Sequence, residues 1–258
     1  MTARWGSLAA ALVLVLAGCA ETPRPAAPGD GVRGPVTVFA AASLTETFTR
    51  LGKEFEADHP GATVTFSFAG SSALATQINQ GAPADVFAAA SPATMATVAA
   101  AGNADGAPTT FARNQLVVAV PKGNPGRVGG LADLARPGVK VALCAEQVPC
   151  GAAARTALDA AGVSLTPVTL EQDVRGALAK VRLGEVDAAL VYRTDATAAA
   201  SEVDAVEFPE SARAVNDYPV VVLRHAGNRA AARAFVAYVL SDRGRAALTA
   251  AGFQAPGS

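Results

Sequence analysis

Histidine, cysteine and charged residues are scarce in this chain. Its 258 residues include two His and three Cys, too few to build several zinc sites of the usual composition. Lys and Arg number 21 against 22 Asp and Glu, a formal net charge of −1. Without a cationic surplus there is little to neutralise phosphates, so nucleic acid is excluded as a partner. The chain has no GxSxG elbow, no P-loop and no GxGxxG after a strand. Its carboxylates show no spacing that singles out an acid–base pair, and His59 and His225 read as solvated surface histidines. Nothing here demands an enzyme. Charged residues make up only 17% of the chain and hydrophobic ones 51%, which argues against disorder. The length allows one large domain or two lobes, each able to bury a core.

The N-terminus carries its own signal. Arg4 precedes an apolar stretch over 8–17 (LAAALVLVLA), too short for a comfortable membrane span. Leu16-Ala17-Gly18-Cys19 follows and resembles a bacterial lipoprotein cleavage site. That resemblance implies a signal peptide over 1–18 and lipidation of Cys19. It puts the protein on the extracytoplasmic face of a bacterial membrane, held by a lipid anchor. The alternative is an ordinary signal peptide with an incidental Cys. Residues 19–34, rich in Pro, Ala and Gly, read as a flexible tether. Export permits a disulfide, and Cys144 and Cys150 remain to form one. A pair of free buried thiols, or a redox or metal pair, is the other reading.

Beyond the tether, strand and helix patterns alternate. Strands are expected over 36–42, 62–68, 86–90, 115–120, 139–144, 186–192 and 220–224. Helices are expected over 44–57, 73–79, 92–101, 150–161, 174–183, 229–240 and 242–250. Ser43 with Glu46 reads as a capping box, and Ser91-Pro92 as an N-cap with Pro at the first helical position. The alternation points to an α/β fold with largely parallel sheets. Four strand-to-helix turns present small or polar residues: Ala42-Ser43, Gly70-Ser71-Ser72, Pro149-Cys150-Gly151 and Asp173-Val174-Arg175. Each should expose backbone N–H groups at a helix start, a natural place for an anion. Taken singly, each is also explained as a cap. Tyr192 at a strand end could equally be a half-buried core aromatic.

Several segments, in order, resemble the molybdate-binding proteins of ABC importers. They are Val36-Thr-Val-Phe-Ala-Ala-Ala-Ser-Leu44, Phe68-Ala-Gly-Ser-Ser-Ala-Leu74, Gly81-Ala-Pro-Ala-Asp85, Val148-Pro-Cys-Gly151, Asp173-Val-Arg-Gly-Ala-Leu178, Val191-Tyr192 with Asp195-Ala196, and Phe208-Pro-Glu210 before Tyr218-Pro219. The resemblance implies a two-lobed class II periplasmic-binding-protein fold. Each lobe would be a mixed, mostly parallel sheet flanked by helices. It places lobe one at 35–117 and 222–258, and lobe two at 118–221, with crossovers near 115–120 and 218–223. It implies a site for molybdate, or tungstate, made by Ser43, Ser71, Cys150, Val174 and Tyr192. Cys150 and Val174 would act through backbone N–H groups, the others through hydroxyls. Gly70 stands where the better-known family pattern has Ser, and Cys150 where it has Ala. A disulfide from Cys144 to Cys150 would brace the turn. No cofactor, catalytic residue or cationic metal is implied, since molybdenum would arrive as its oxyanion. The implied partners are an ABC permease and its ATPase, with the binding protein monomeric. Sulfate or another oxyanion is the alternative ligand, and an enzyme using the same cleft is less favoured.

Overall fold

The computed structural model describes residues 1–2 and 32–257. Apart from the first two residues, the expected signal peptide lies outside the described residues, as do Cys19 and nearly all of the tether. Strand β1 (Gly34–Ala41) leads through a 3-10 turn (Ala42–Leu44) into helix α1 (Thr45–Asp58). Then come β2 (Ala62–Ala69), α2 (Ser71–Asn79), β3 (Val86–Ala88), α3 (Pro92–Ala100) and β4 (Thr109–Asn114). A second run follows: β5 (Leu116–Pro121), β6 (Val141–Cys144), α4 (Pro149–Ala161), β7 (Thr169–Glu171), α5 (Val174–Arg182), β8 (Ala188–Tyr192), α6 (Arg193–Ala198) and β9 (Val203–Val206). The chain closes with β10 (Asn216–Val222), α7 (Arg229–Leu240) and α8 (Asp242–Ala250).

These strands form two five-stranded sheets, ordered β2-β1-β3-β10-β4 and β7-β6-β8-β5-β9. Both are mixed and mostly parallel, as expected. In the first only β10 opposes its neighbours, and in the second only β5 does. Their central strands are buried on both faces, so they read as continuous apolar runs such as Leu116-Val-Val-Ala-Val120. Helix α1 turns Phe48, Leu51 and Phe55 onto the first sheet. There Phe55 meets Phe235 of α7 edge-to-face, with ring centroids 5.4 Å apart.

A single residue, Gln115, separates β4 in the first sheet from β5 in the second. The return connection runs from β9 to β10, and Gln115 Nε2 donates to Ser211 Oγ on it at 3.1 Å. Sheet membership therefore differs from the expected lobe boundaries. Leu116 and Val117 pair in the second sheet, and residues 216–221 pair in the first. Only the apolar half of β10 is visible in the sequence. Its polar start pairs Asn216 with Asn114, and the register shifts between Tyr218 and Pro219. Strands β4, β7 and β9 and helix α6 carry no strong periodic signal either, being short and partly polar. Asp85, in one of the family-like segments, is a structural lock. Its carboxylate accepts from the backbone N–H groups of Thr37 and Gly227, both at 2.7 Å.

Candidate functional site

Both lobes carry their strand-to-helix turns on the faces that meet. A small cavity, with about 20 Å³ of room for the centre of a water-sized sphere, lies between them, and all five residues expected to bind ligand line it: Ser43, Ser71, Cys150, Val174 and Tyr192. Ala41, Ala42, Gly70, Ala90, Val148, Pro149 and Asp173 complete the wall. The four turns singled out in the sequence thus converge on one space.

The N-terminal ends of α2, α4 and α5 face this cavity, together with the 3-10 turn that opens α1. First-turn N–H groups have no intrahelical acceptor, and each helix end carries roughly half a positive charge. Pro149 occupies the first position of α4 and has no N–H, so the first donor there belongs to Cys150. Asp173 is the N-cap of α5; its Oδ1 accepts from Gly176 N at 2.9 Å. That carboxylate is used in holding the helix start, as an Asp in this place usually is. Among the described residues, no Lys, Arg or His lines the cavity. Partial positive charge there would come from the backbone dipoles of the helix starts.

Two capping expectations are corrected. Neither α1 nor the turn before it has a side-chain cap. The Ser43 hydroxyl instead lies 2.9 Å from that of Tyr218, and Glu46 forms an ion pair with Arg175 of the other lobe. Helix α2 has no side-chain cap either. Ser71 Oγ accepts from Ala90 N at 3.0 Å on the cavity wall, while Ser72 Oγ donates to Gln147 O at 2.7 Å. Ser71, not Ser72, faces the space. The reading of Ser91-Pro92 holds, with Ser91 capping α3 through Thr94 N.

Tyr192 and Tyr218 are both fully buried and pack edge-to-face at 5.9 Å. Burial, helped by the nearby Asp195 carboxyl, raises the Tyr192 phenol far above its ordinary value. It stays protonated and able to donate. Asn216, which the sequence did not single out, donates from Nδ2 to Tyr192 Oη at 2.6 Å and to Ala90 O at 2.9 Å. Asp195 is 3% exposed, and its Oδ2 has no hydrogen-bond partner among the described residues. Burial first, then the negative charge of Glu46, pushes its carboxyl up to about 8.

The lobes are closed on each other. Besides the Ser72–Gln147 bond and the Glu46–Arg175 pair, Gly70 packs directly on the Gln172 carbonyl. A Cβ at Gly70 would sit 2.3 Å from that oxygen, which explains why Ser is not accommodated here. Cys144 and Cys150 are disulfide-bonded, joining the end of β6 to the first turn of α4. The thiol-pair and metal-pair readings are set aside.

Two lobes, two crossover connections and a cavity between helix starts point to a solute-binding protein of the class II periplasmic type. Comparison with known proteins bears this out. Residues 36–254 match the family model described as bacterial extracellular solute-binding protein. Molybdate-binding protein ModA of Mycobacterium tuberculosis is 47% identical over 254 residues, covering 97% of each chain. ModA of Escherichia coli is 36% identical, covering 80% of this chain and 83% of its own. The solved periplasmic molybdate-binding protein of Azotobacter vinelandii superposes with a TM-score of 0.74 at 23% identity, covering 86% of this chain and 100% of that one. The chain belongs to the ModA-type family of bacterial extracellular solute-binding proteins. These are binding components of ABC transporters, not enzymes, and no cofactor is called for.

Proposed function

We propose that this protein captures molybdate in the interlobe cavity and hands it to an ABC permease and its ATPase. Molybdate is a tetrahedral dianion without a proton at neutral pH, so it can only accept hydrogen bonds. The convergence of four helix starts and three hydroxyls on one cavity without a basic side chain carries this reading. Ser43, Ser71 and Tyr192 would donate hydroxyl protons, and Cys150 and Val174 backbone N–H groups. Three to four helix ends together supply close to two positive charges, enough to balance the dianion. Tungstate, of the same shape and charge, would bind in the same way. Binding energy would favour the closed arrangement over an open one, presenting the form that the permease accepts. A monomer anchored through lipidated Cys19, with 19–34 as its tether, would hold the site near that permease.

Isothermal titration calorimetry on residues 35–258 with molybdate, tungstate, sulfate and phosphate tests the ligand. Tight one-to-one binding of molybdate and tungstate, with sulfate and phosphate far weaker, is expected. Preference for sulfate or phosphate would overturn the ligand assignment. For the anchor, detergent-phase partition of the full chain should be lost in Cys19→Ala, and partition unchanged by that substitution would refute it.

A further inference from the structure

Each hydroxyl on the cavity wall has an internal neighbour that occupies or shares its oxygen. Ser71 Oγ accepts from Ala90 N at 3.0 Å, and Ser43 Oγ lies 2.9 Å from Tyr218 Oη. For Tyr192 the neighbour is Asn216, the first residue of β10, on the strand that returns the chain to the first lobe. The orientation of its amide is fixed by its surroundings. Nδ2 lies 2.9 Å from Ala90 O in one lobe and 3.4 Å from Pro149 O in the other, and a carbonyl oxygen can only accept. The NH₂ end must therefore face them, and its remaining contact, 2.6 Å away, is Tyr192 Oη. The phenol oxygen accepts from Asn216 and from the neighbouring Tyr218 hydroxyl, so its single proton is left for the cavity.

We propose that Asn216 is a positioning residue that forces Tyr192 to present its proton, not its lone pairs, to the bound anion. The proposal rests on the reading of this cavity as an oxyanion site. It adds a basis for specificity: a wall locked as donors favours oxyanions with no proton and disfavours hydrogenphosphate, whose P–OH needs an acceptor. Without the Asn216 amide, the Ala90 and Pro149 carbonyls lose their donor. The Tyr192 O–H can then turn towards them and offer its lone pairs to the cavity.

A double-mutant cycle read by calorimetry tests this on Asn216→Ala, Tyr192→Phe and the pair, with molybdate and hydrogenphosphate as probes. Asn216→Ala is expected to weaken molybdate binding about tenfold, the scale of one well-placed hydrogen bond. In the Tyr192→Phe background the same change should cost less than about threefold, because no phenol proton remains to misdirect. The molybdate-to-phosphate affinity ratio should fall in Asn216→Ala. If Asn216→Ala costs the same in both backgrounds, Asn216 merely ties the lobes together and the proposal is wrong. An unchanged affinity ratio would overturn it equally. Asn216→Ser, too short to reach Tyr192, gives the same contrast should the Ala variant fold poorly. Failure of the unsubstituted protein to bind molybdate would count against the ligand reading, whereas additivity in a protein that binds counts against Asn216 alone.

Discussion

Ser43 and Tyr218 are 175 residues apart in the chain, yet their hydroxyl oxygens lie 2.9 Å apart, Ser43 on the cavity wall and Tyr218 buried behind it. One residue comes from the turn after β1, the other from β10, which runs antiparallel to β3 in the same sheet. A hydroxyl held in this way keeps a fixed direction and loses little entropy when an anion arrives. Ser43→Ala should therefore weaken molybdate binding by about 1–3 kcal/mol, roughly tenfold or more in Kd. Titration calorimetry on a variant with native melting behaviour checks this; an unchanged Kd would remove Ser43 from the site.

Closure has its own probe in Gly70. Its missing side chain lets the Gln172 carbonyl approach, and an added Cβ would lie 2.3 Å from that oxygen. The backbone at Gly70 has an ordinary negative φ, so Ala is tolerated within its own lobe. Gly70→Ala is expected to leave the ligand-free melting temperature within a few degrees while lowering molybdate affinity at least tenfold. Small-angle scattering should show the variant remaining extended when ligand is added. Compaction equal to that of the unsubstituted protein would contradict the role given to this contact.

The Cys144–Cys150 bridge closes a short loop, for which chain entropy gives about 2 kcal/mol. It also fixes the first turn of α4, where Cys150 lines the cavity. Reduction should lower both the melting temperature and molybdate affinity. Two titratable thiols in the untreated domain, or a melting temperature indifferent to reductant, would argue against the bridge.

Asp195 makes stability depend on pH. Its carboxyl is raised to about 8 by burial, against an ordinary value near 4 in the unfolded chain. Between these values the folded protein holds a proton that the unfolded chain has released. The stabilisation is complete below about pH 4, declines as pH rises and is lost above about 8, with an upper bound of about 6 kcal/mol. Asp195→Asn should flatten the fall of melting temperature between pH 5 and 9. A slope identical to that of the unsubstituted protein would show that Asp195 does not titrate in this range.

The α/β class is legible because long buried strands and amphipathic helices leave strong patterns, whereas the division into two lobes is implied only by the family resemblance. Helices α7 and α8 fall on the residues expected, 229–240 and 242–250, and the structure caps them with Asn228 and Ser241. The short elements at the crossovers leave none: Thr109-Thr-Phe-Ala-Arg-Asn114 becomes a strand only because β10 lies beside it. The cavity follows the same division. Ser43, Ser71, Cys150 and Val174 sit in turns that local sequence marks, and Tyr192 ends β8; only the resemblance groups the five. Asn216 and Tyr218 enter through tertiary pairing alone, and no local rule points to them. Ser43 with Glu46 shows the opposite failure. The spacing satisfies a capping box, but the two side chains find partners in β10 and across the cleft that local spacing cannot anticipate.

The central claim is that molybdate sits in the cavity between the two lobes. X-ray diffraction from crystals grown with molybdate, recorded at the molybdenum absorption edge, locates the metal without assumption. The expected map has one strong anomalous peak. Oxygens of the anion around it should lie about 2.7–3.1 Å from the hydroxyls of Ser43, Ser71 and Tyr192 and the N–H nitrogens of Cys150 and Val174. A map with no peak in this cavity, or with the molybdenum seated elsewhere on the protein, would contradict it.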